Sequence, residues 1–466
     1  MLKSPPRIII AALKGGSGKT LISLGLASAW KRKGRDVSVF KKGPDFIDSG
    51  WLTIAAGRDC VNLDFFMMTP SQITDSFLYN SDDSEISLIE GNRGVYDGLD
   101  SDGCCSTAEL AKLLKSPVIL VIDITMTTRT VAAIILGCQK FDPDLKIDGV
   151  ILNRVAGKRQ ETIVRDSVEK YCELSVVGSI PKLNEQLFPE RHMGLVPHQE
   201  RGQAEKAIIQ ARKIVEDNLD LDLIWKIAHH RDPLKISTVY PEPESALATE
   251  GHRPRIGFIR DNCFWFYYPE NLDHLRKLGA DLIEIDSLNC KELPELDALY
   301  IGGGFPETKA GILQSNKGFR ESIKKAVDSG LPVYAECGGL IYMGEALIIN
   351  GEKYQMTGVL PISFLMGHKP QGHGYTILEV KKENPYFPMG EILKGHEFHY
   401  SRPVINENCK INPVFYVHRG HGLDGHVDGI SYKNLLATYT HLHSTGNRSW
   451  GRYLVNRAIK SQKHKI

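Results

Sequence analysis

Two stretches of this chain, about three hundred residues apart, have the residue types and spacing to do chemistry. Lys14-Gly15-Gly16-Ser17-Gly18-Lys19-Thr20 is a glycine-rich loop ending in a Lys-Thr pair, and Ala335-Glu336-Cys337-Gly338-Gly339 sets a cysteine on a glycine-rich turn. The first suits a nucleotide. The second suits a thioester. An ATPase alone has no need of an activated thiol, and a thiol hydrolase alone has no need of ATP. Together they point to hydrolysis at one site feeding an ATP-driven, amide-forming step at the other, with glutamine as the nitrogen source.

A loop between a buried strand and a helix wraps phosphates with consecutive backbone N–H groups, and the helix N-terminus adds positive potential. Gly15, Gly16, Ser17 and Gly18 would supply that wrap, Lys19 would reach the terminal phosphates, and the Thr20 hydroxyl would ligate Mg²⁺. The first glycine of the usual pattern would fall at Leu13 and is missing. Lys14 instead precedes the glycine pair, as in loops whose extra lysine touches phosphate across a homodimer. The alternative, a glycine turn with an incidental Gly-Lys, has to ignore three glycines, the strand before and the helix after.

Carboxylates gather at the ends of the following strands, where open α/β sheets place their ligands. Lys41 and Lys42 lead into Gly43-Pro44-Asp45-Phe46-Ile47-Asp48; Glu90 ends another strand, and Asp97 lies in the turn Gly91 to Gly98. Transfer of a γ-phosphoryl group to a carboxylate needs charge neutralisation and positioning. Asp45 and Glu90 are therefore expected beside Thr20 at the metal, Lys41 near the moving phosphoryl group, and Asp48 and Asp97 around the acceptor. Singly, each is as readily a helix cap or a solvated loop residue. Asn153, ending Ile151-Leu152-Asn153-Arg154, either reads the adenine edge of ATP or terminates its strand in a turn.

The cysteine site has the form of a nucleophile elbow, with a strand before Cys337 and glycines after it. A helix N-terminus at this point would lower the thiol pKa. Gly303 and Gly304, in Gly302-Gly303-Gly304-Phe305-Pro306-Glu307, are expected to form an oxyanion hole with the N–H of Gly338. His441, in Thr440-His441-Leu442-His443, is the candidate base. Glutamine hydrolases often carry a Glu two residues beyond that histidine. Here the position is His443, which leaves a Cys-His dyad.

These residues need elements to hold them. Residues 7–12, 36–40, 86–90, 117–123 and 149–153 are near-continuous Ile/Val/Leu runs that predict strands of a parallel sheet covered on both faces. Residues 18–33, 127–140 and 160–172 have helical spacing between them. A Pro- and Glu-rich stretch centred on Pro241-Glu242-Pro243-Glu244 then predicts a linker over 233–254. After it the α/β alternation restarts, with strands at 255–259, 281–285, 298–301, 332–335 and 435–439 and a helix at 269–278. Two α/β domains follow: an ATP-binding P-loop domain over 1–232 and an amidotransferase domain over 255–466.

Composition excludes some classes. With 466 residues the chain exceeds one ordinary core, at roughly 150 residues per domain. Its formal net charge is +1 without long basic runs, which gives no reason to expect nucleic acid or a membrane surface. No stretch approaches the roughly 20 apolar residues of a membrane helix. Nine cysteines without metal-type pairing, one of them a candidate nucleophile, fit a reducing cytoplasm.

Over nearly its whole length the chain resembles the cobyrinic acid a,c-diamide synthases. The resemblance rests on Lys42-Gly43-Pro44-Asp45, Asn62-Leu63-Asp64, Glu90-Gly91, Ile151 to Arg154, Glu190-Arg191-His192-Met193-Gly194-Leu195, Arg260-Asp261, Phe266-Tyr267-Tyr268-Pro269-Glu270-Asn271-Leu272, Gly302 to Glu307, Ala335 to Gly339 and Gly395-His396-Glu397-Phe398-His399-Tyr400-Ser401. It implies an N-terminal domain similar to dethiobiotin synthetase and a C-terminal class I glutamine amidotransferase domain. It also implies a Mg²⁺-dependent reaction in which ATP phosphorylates a peripheral acetate carboxylate of a tetrapyrrole, and ammonia released from glutamine at Cys337 converts the acyl phosphate to an amide. Departures from the family pattern at Phe46, Ser49, Trp51-Leu52, Phe65-Phe66 and Gln371-Gly372-His373 leave a sirohaem or (nickel-)sirohydrochlorin amidase as the alternative acceptor reading. Two more remain: an amidotransferase with a non-tetrapyrrole acceptor and, from another class, a partitioning-type P-loop ATPase with no use for Cys337.

Overall fold

The computed structural model describes residues 2–183, 190–191, 194–195, 201–230, 232–235, 247, 253–405 and 410–463. They form two compact units, Met1–Tyr240 and Pro241–Ile466.

The first unit is built on β1 (Arg7–Ala12), α1 (Lys19–Arg32), β2 (Val37–Lys42), α2 (Ile47–Ala56), β3 (Val61–Leu63), β4 (Ile86–Glu90), β5 (Val118–Asp123), α3 (Thr130–Phe141), β6 (Ile147–Val155), α4 (Lys158–Cys172), β7 (Val176–Pro181) and α5 (Arg201–Asn218). The seven strands are all parallel, in the order β3-β2-β4-β1-β5-β6-β7. β1 lies between β4 and β5, where the winding reverses, so the loop after it opens into the crevice at the strand C-terminal ends. Every residue of β1, β2 and β4 is buried, as the apolar runs require. The predicted strands and helices fall within three residues of those observed. β3, α2, β7 and α5 carry weaker patterns and had no assigned place.

Leu234–Lys235 pairs with Leu2–Lys3, so the first residues of the predicted linker complete the N-terminal unit. The linker centre, Pro241 to Glu244, and His192-Met193 lie outside the described residues.

The second unit holds β8 (Arg255–Ile259), α6 (Pro269–Lys277), β9 (Asp281–Ile285), β10 (Ala298–Ile301), β11 (Val333–Glu336), α7 (Gly338–Met343), β12 (Gly372–Val380), β13 (Ile392–His399), β14 (Pro413–Arg419), β15 (Val427–Tyr432), β16 (Leu435–Thr438) and β17 (His441–Leu442). Its ten-stranded sheet runs β9-β8-β10-β11-β16-β15-β14-β12-β13-β17, parallel from β9 to β16 and antiparallel beyond. Only Tyr439 and Thr440 separate β16 from β17. The antiparallel half must therefore curl back until β13, the strand that β17 pairs with, comes near the end of β16.

Here the structure corrects the expectation of one late strand over 435–439 delivering His441. The buried Asp428 carboxylate accepts the N–H groups of Tyr439 at 3.1 Å and Thr440 at 3.3 Å. Supplied with those acceptors, the chain leaves one ladder and joins another, where His441 pairs with His396.

Candidate active sites

At the first site Gly16 and Gly18 have φ of 71° and 100°, which keeps the loop open to phosphate. Lys19 Nζ donates to Lys14 O at 3.3 Å and Arg93 O at 2.7 Å, lying across the loop where a phosphate chain would sit. Burial, followed by the neighbouring Lys41, lowers its pKa from the ordinary lysine value.

Behind it lies a buried charge network. Lys41 Nζ is 2.7 Å from Glu90 Oε1 and 2.6 Å from Asp48 Oδ2, and Thr20 Oγ1 donates to the same Glu90 oxygen at 2.8 Å. Burial pushes the Lys41 pKa down, yet the Asp48 and Glu90 carboxylates outweigh it and hold the ammonium above its usual range. Desolvation raises Glu90, and desolvation followed by Asp48 pushes Asp45 up to about 6. Asp45 Oδ1 accepts the N–H of Asp48 at 2.9 Å. Thr20, Lys41, Asp45, Asp48 and Glu90 are thus one cluster. Asp97 sits beside it, exposed, with Oδ2 accepting Gly94 N at 2.8 Å.

Asn153 is turned inward. Its Nδ2 donates to Ser17 O at 2.8 Å and its Oδ1 accepts the N–H of Arg154, so the amide considered for adenine props up the phosphate loop. Lys14 Nζ, largely exposed, lies 4.0 Å from Asp123, which also pairs with Arg154 at 2.7 Å. Two site-building residues carried only a weak signal, a polar group on a buried strand. One is Asp123. The other is Asn62, which holds the Asp45 loop by donating to Gly43 O at 2.7 Å and Asp45 O at 3.0 Å.

Some departures from the family pattern lie away from this crevice. Trp51 and Leu52 are buried in the core with Trp30 and Ala55. Ser49, by contrast, stays beside the crevice, its Oγ donating to Asp45 O at 2.6 Å.

At the second site Cys337 has φ 48° and ψ −98°, the strained turn of an elbow, and its N–H donates to Thr438 O at 2.7 Å. The expectation of a lowered thiol pKa is not met. α7 is only six residues long, and burial, then the Glu307 carboxylate, push the thiol up. Cys337 therefore rests protonated, with Sγ 3.7 Å from Phe398 O.

The glycines explain the convergence. A Cβ on Gly338 would meet Gly304 N at 3.0 Å, and a Cβ on Gly303 would meet His441 Cε1 at 2.4 Å and Nε2 at 3.1 Å. The elbow and the imidazole are thus packed against the same two-residue strand, Gly303–Gly304, which pairs with Phe264–Phe266. His441 is buried and stacks on His396, with ring centroids 5.0 Å apart and 24° between planes. Desolvation, then His441, hold His396 well below the usual imidazole pKa and keep it neutral. His443 points away: its Nδ1 accepts Thr445 N at 3.1 Å and its Nε2 lies 3.4 Å from Glu270. Around His441 Nδ1, 3.4 Å away, stands Glu336 Oε2.

A phosphate-binding crevice in one unit and a cysteine elbow with a histidine beside it in the other define an ATP-coupled glutamine amidotransferase. Residues 8–196 match the family described as the CobQ/CobB/MinD/ParA nucleotide binding domain, and residues 255–449 the CobB/CobQ-like glutamine amidotransferase domain. The cobyrinate a,c-diamide synthase of Magnetococcus marinus is 40% identical over 96% of both chains, and that of Archaeoglobus fulgidus 42% over 98% of both. A third, from Picrophilus torridus, is 40% identical over 94% of this chain and 96% of its own. The chain belongs to the cobyrinate a,c-diamide synthase family and is a glutamine-dependent carbon–nitrogen ligase. An amidotransferase unit has no place in the partitioning-ATPase reading. Among the described residues no helix is long and apolar enough to cross a membrane.

Proposed function

We propose that this protein amidates peripheral acetate carboxylates of a cobyrinate-type tetrapyrrole, through an acyl phosphate made with ATP. One observation carries the reading: similarity to enzymes named cobyrinate a,c-diamide synthase runs through 96–98% of the chain, across both units.

In the second unit Cys337 Sγ attacks the glutamine carboxamide carbon while His441 Nε2 takes the thiol proton. The N–H groups of Gly304 and Gly338, with Gly303 giving the imidazole room, hold the oxyanion. His441 returns the proton to the departing ammonia, and water then releases glutamate from the thioester. In the first unit an acceptor carboxylate oxygen attacks the γ-phosphorus of ATP and ADP leaves. Ammonia attacks the acyl carbon, and phosphate departs. Lys14, Lys19 and Lys41 counter the phosphate charge, the loop Gly15 to Gly18 cradles it, Asn153 holds that loop in place, and Asp48 and Asp97 orient the acceptor.

Thr20, Glu90 and Asp45 fit a magnesium ion. Glu90 Oε2 is buried without a hydrogen-bond partner, and Thr20 Oγ1 sits on the other oxygen of that carboxylate. Mg²⁺ takes one or two carboxylates and fills its shell with phosphate and water, so no dense ligand cage is needed. When bound, it would neutralise charge on the β- and γ-phosphates. We place the enzyme in the cytoplasm, where reducing conditions keep Cys337 free. Lys14 reaching a partner's phosphates in a homodimer belongs to the same proposal.

The acceptor is tested by incubating the protein with ATP, Mg²⁺, glutamine and either cobyrinic acid or sirohydrochlorin, followed by mass spectrometry. Amides on cobyrinic acid are expected. Amides on sirohydrochlorin alone would move the assignment to that substrate, and no conversion of either would overturn the tetrapyrrole reading. Burial of Trp51 and Leu52 in the core removes part of the support for a changed acceptor.

A further inference from the structure

Glutamine hydrolysis by a thiol needs an imidazole whose free nitrogen faces the sulfur, and something must set that tautomer. The position two residues beyond His441, where a carboxylate often does this, is His443. That ring accepts Thr445 N at its Nδ1 and has its Nε2 3.4 Å from Glu270. We infer that Glu336, the residue immediately before the nucleophile, is the positioning residue for His441 and completes a Cys337-His441-Glu336 triad. The inference rests on the thiol chemistry proposed above.

The geometry is specific. β11 and β16 run parallel with Glu336 opposite Thr438, so the strand that delivers Cys337 also aims the preceding side chain toward the chain leaving β16. Glu336 Oε2 lies 3.4 Å from His441 Nδ1 and accepts the Tyr300 hydroxyl at 3.1 Å, while Oε1 accepts the N–H of Leu442 at 3.2 Å. Groups around this carboxylate are donors, so it faces them as an acceptor. Nδ1 must then carry the proton, which leaves Nε2 as the base. Nε2 is on the ring edge that faces Gly303, the strand against which the elbow is packed. A contact of 3.4 Å is long, and such bonds commonly tighten once substrate is bound.

Several described neighbours of the ring are committed elsewhere. His396 stacks on its face and stays neutral, with its Nδ1 3.1 Å from the Tyr268 hydroxyl. Phe266 meets the ring edge-on. Glu397 is held by His421 N, Gly422 N and His399. Glu307 acts on the thiol. The carboxylate at Nδ1 is Glu336, and its negative charge favours the imidazolium that forms during attack.

The test is Glu336→Gln in the full-length protein, measured as glutaminase activity against pH and as amidation with ammonium salt as donor. The single amide oxygen can replace only one of the two carboxylate oxygens, the one that accepts from Leu442 or the one shared by Tyr300 and His441, and the charge is gone. Glutaminase kcat is expected to fall by roughly 10²-fold or more with little change in KM for glutamine. The acid limb of kcat/KM should move to lower pH, because an imidazole without its carboxylate is less basic. Ammonia-dependent amidation should survive. Glu336→Asp, which keeps the charge at a longer reach, should recover part of kcat and return the acid limb toward its wild-type position. An unshifted acid limb in Glu336→Gln, or equal loss in the Asp and Gln variants, would overturn the inference and leave Glu336 a structural residue. Cys337→Ala separates the two levels: glutamine-dependent amidation surviving in that variant would sink the thiol reading itself.

Discussion

Lys41 and Glu90 form an ion pair of 2.7 Å in which neither side chain is more than 2% exposed. The pair joins β2 to β4 at the C-terminal end of the sheet, and it holds Glu90 with one oxygen satisfied and the other unpartnered. Removing one partner of such a pair strands a charge away from water.

Lys41→Met should therefore lower the stability of the N-terminal unit by about 3–5 kcal/mol, the usual cost of breaking a buried pair. Urea denaturation followed by far-ultraviolet circular dichroism measures it. Glu90→Gln keeps the volume and should raise the Mg²⁺ concentration needed for half-maximal ATP-dependent amidation, while glutaminase activity stays. An unchanged Mg²⁺ requirement would remove Glu90 from the metal.

Asp48→Ala and Asp97→Ala are expected to lower amidation while sparing glutamine hydrolysis. Asp48 has a second role through its 2.6 Å contact with Lys41, whereas Asp97 is exposed and accepts the N–H of Gly94 in its own turn. The effect of Asp97→Ala on KM for the tetrapyrrole is thus the cleaner measurement. If both activities fell together in either variant, misfolding would be the explanation.

Gly303→Ala would place a methyl 2.4 Å from His441 Cε1. The ring cannot yield easily, because His396 stacks against it. Glutaminase activity should drop by roughly 10²-fold or more, the range that proton transfer by a positioned base contributes. Ammonia-dependent amidation reports whether the rest of the protein is intact.

Burial raises the Cys337 pKa, so the resting thiol is neutral at pH 7 and its thiolate fraction grows as pH rises well past the ordinary cysteine range. Without glutamine, iodoacetamide should modify Cys337 slowly at pH 7, faster at each higher pH, and after the exposed Cys104. Peptide mass spectrometry gives the order. Fast labelling at pH 7 with a plateau near pH 6 would mean a standing thiolate–imidazolium pair instead.

Trp51→Ala should destabilise the first unit by about 3–5 kcal/mol, as truncation of a fully buried Trp does. Because Trp51 belongs to the core and not to the crevice, KM for the acceptor should stay close to wild type in protein that remains folded.

Much of the first unit was legible because its signals are local. A buried parallel strand is a run of Ile, Val and Leu, and a phosphate loop is defined by glycines within seven residues. Residues 7–12 and 86–90 accordingly match β1 and β4 to the residue. β3 is three residues long, and α2 is ten residues long and begins inside the Asp45 loop, too short for periodicity to show. The antiparallel strands over 372–432 were harder for another reason. Their half-buried patterns are read only against a partner strand, and β12 to β15 find theirs through turns and bulges that spacing does not reveal.

The types of residue needed for both chemistries were determined by the sequence alone: the phosphate loop, the strand-end carboxylates, the elbow cysteine and a histidine late in the chain. Which side chains meet was decided only by the fold. Asn153 turned toward Ser17 because the phosphate loop offered a carbonyl within reach, and Trp51 became part of the hydrophobic core. His443 left the position where an orienting acid would stand, and Glu336 came to His441 from a strand a hundred residues earlier. Such contacts depend on strand order and register, and these are set by burial of the whole sheet and not by the spacing of any one motif.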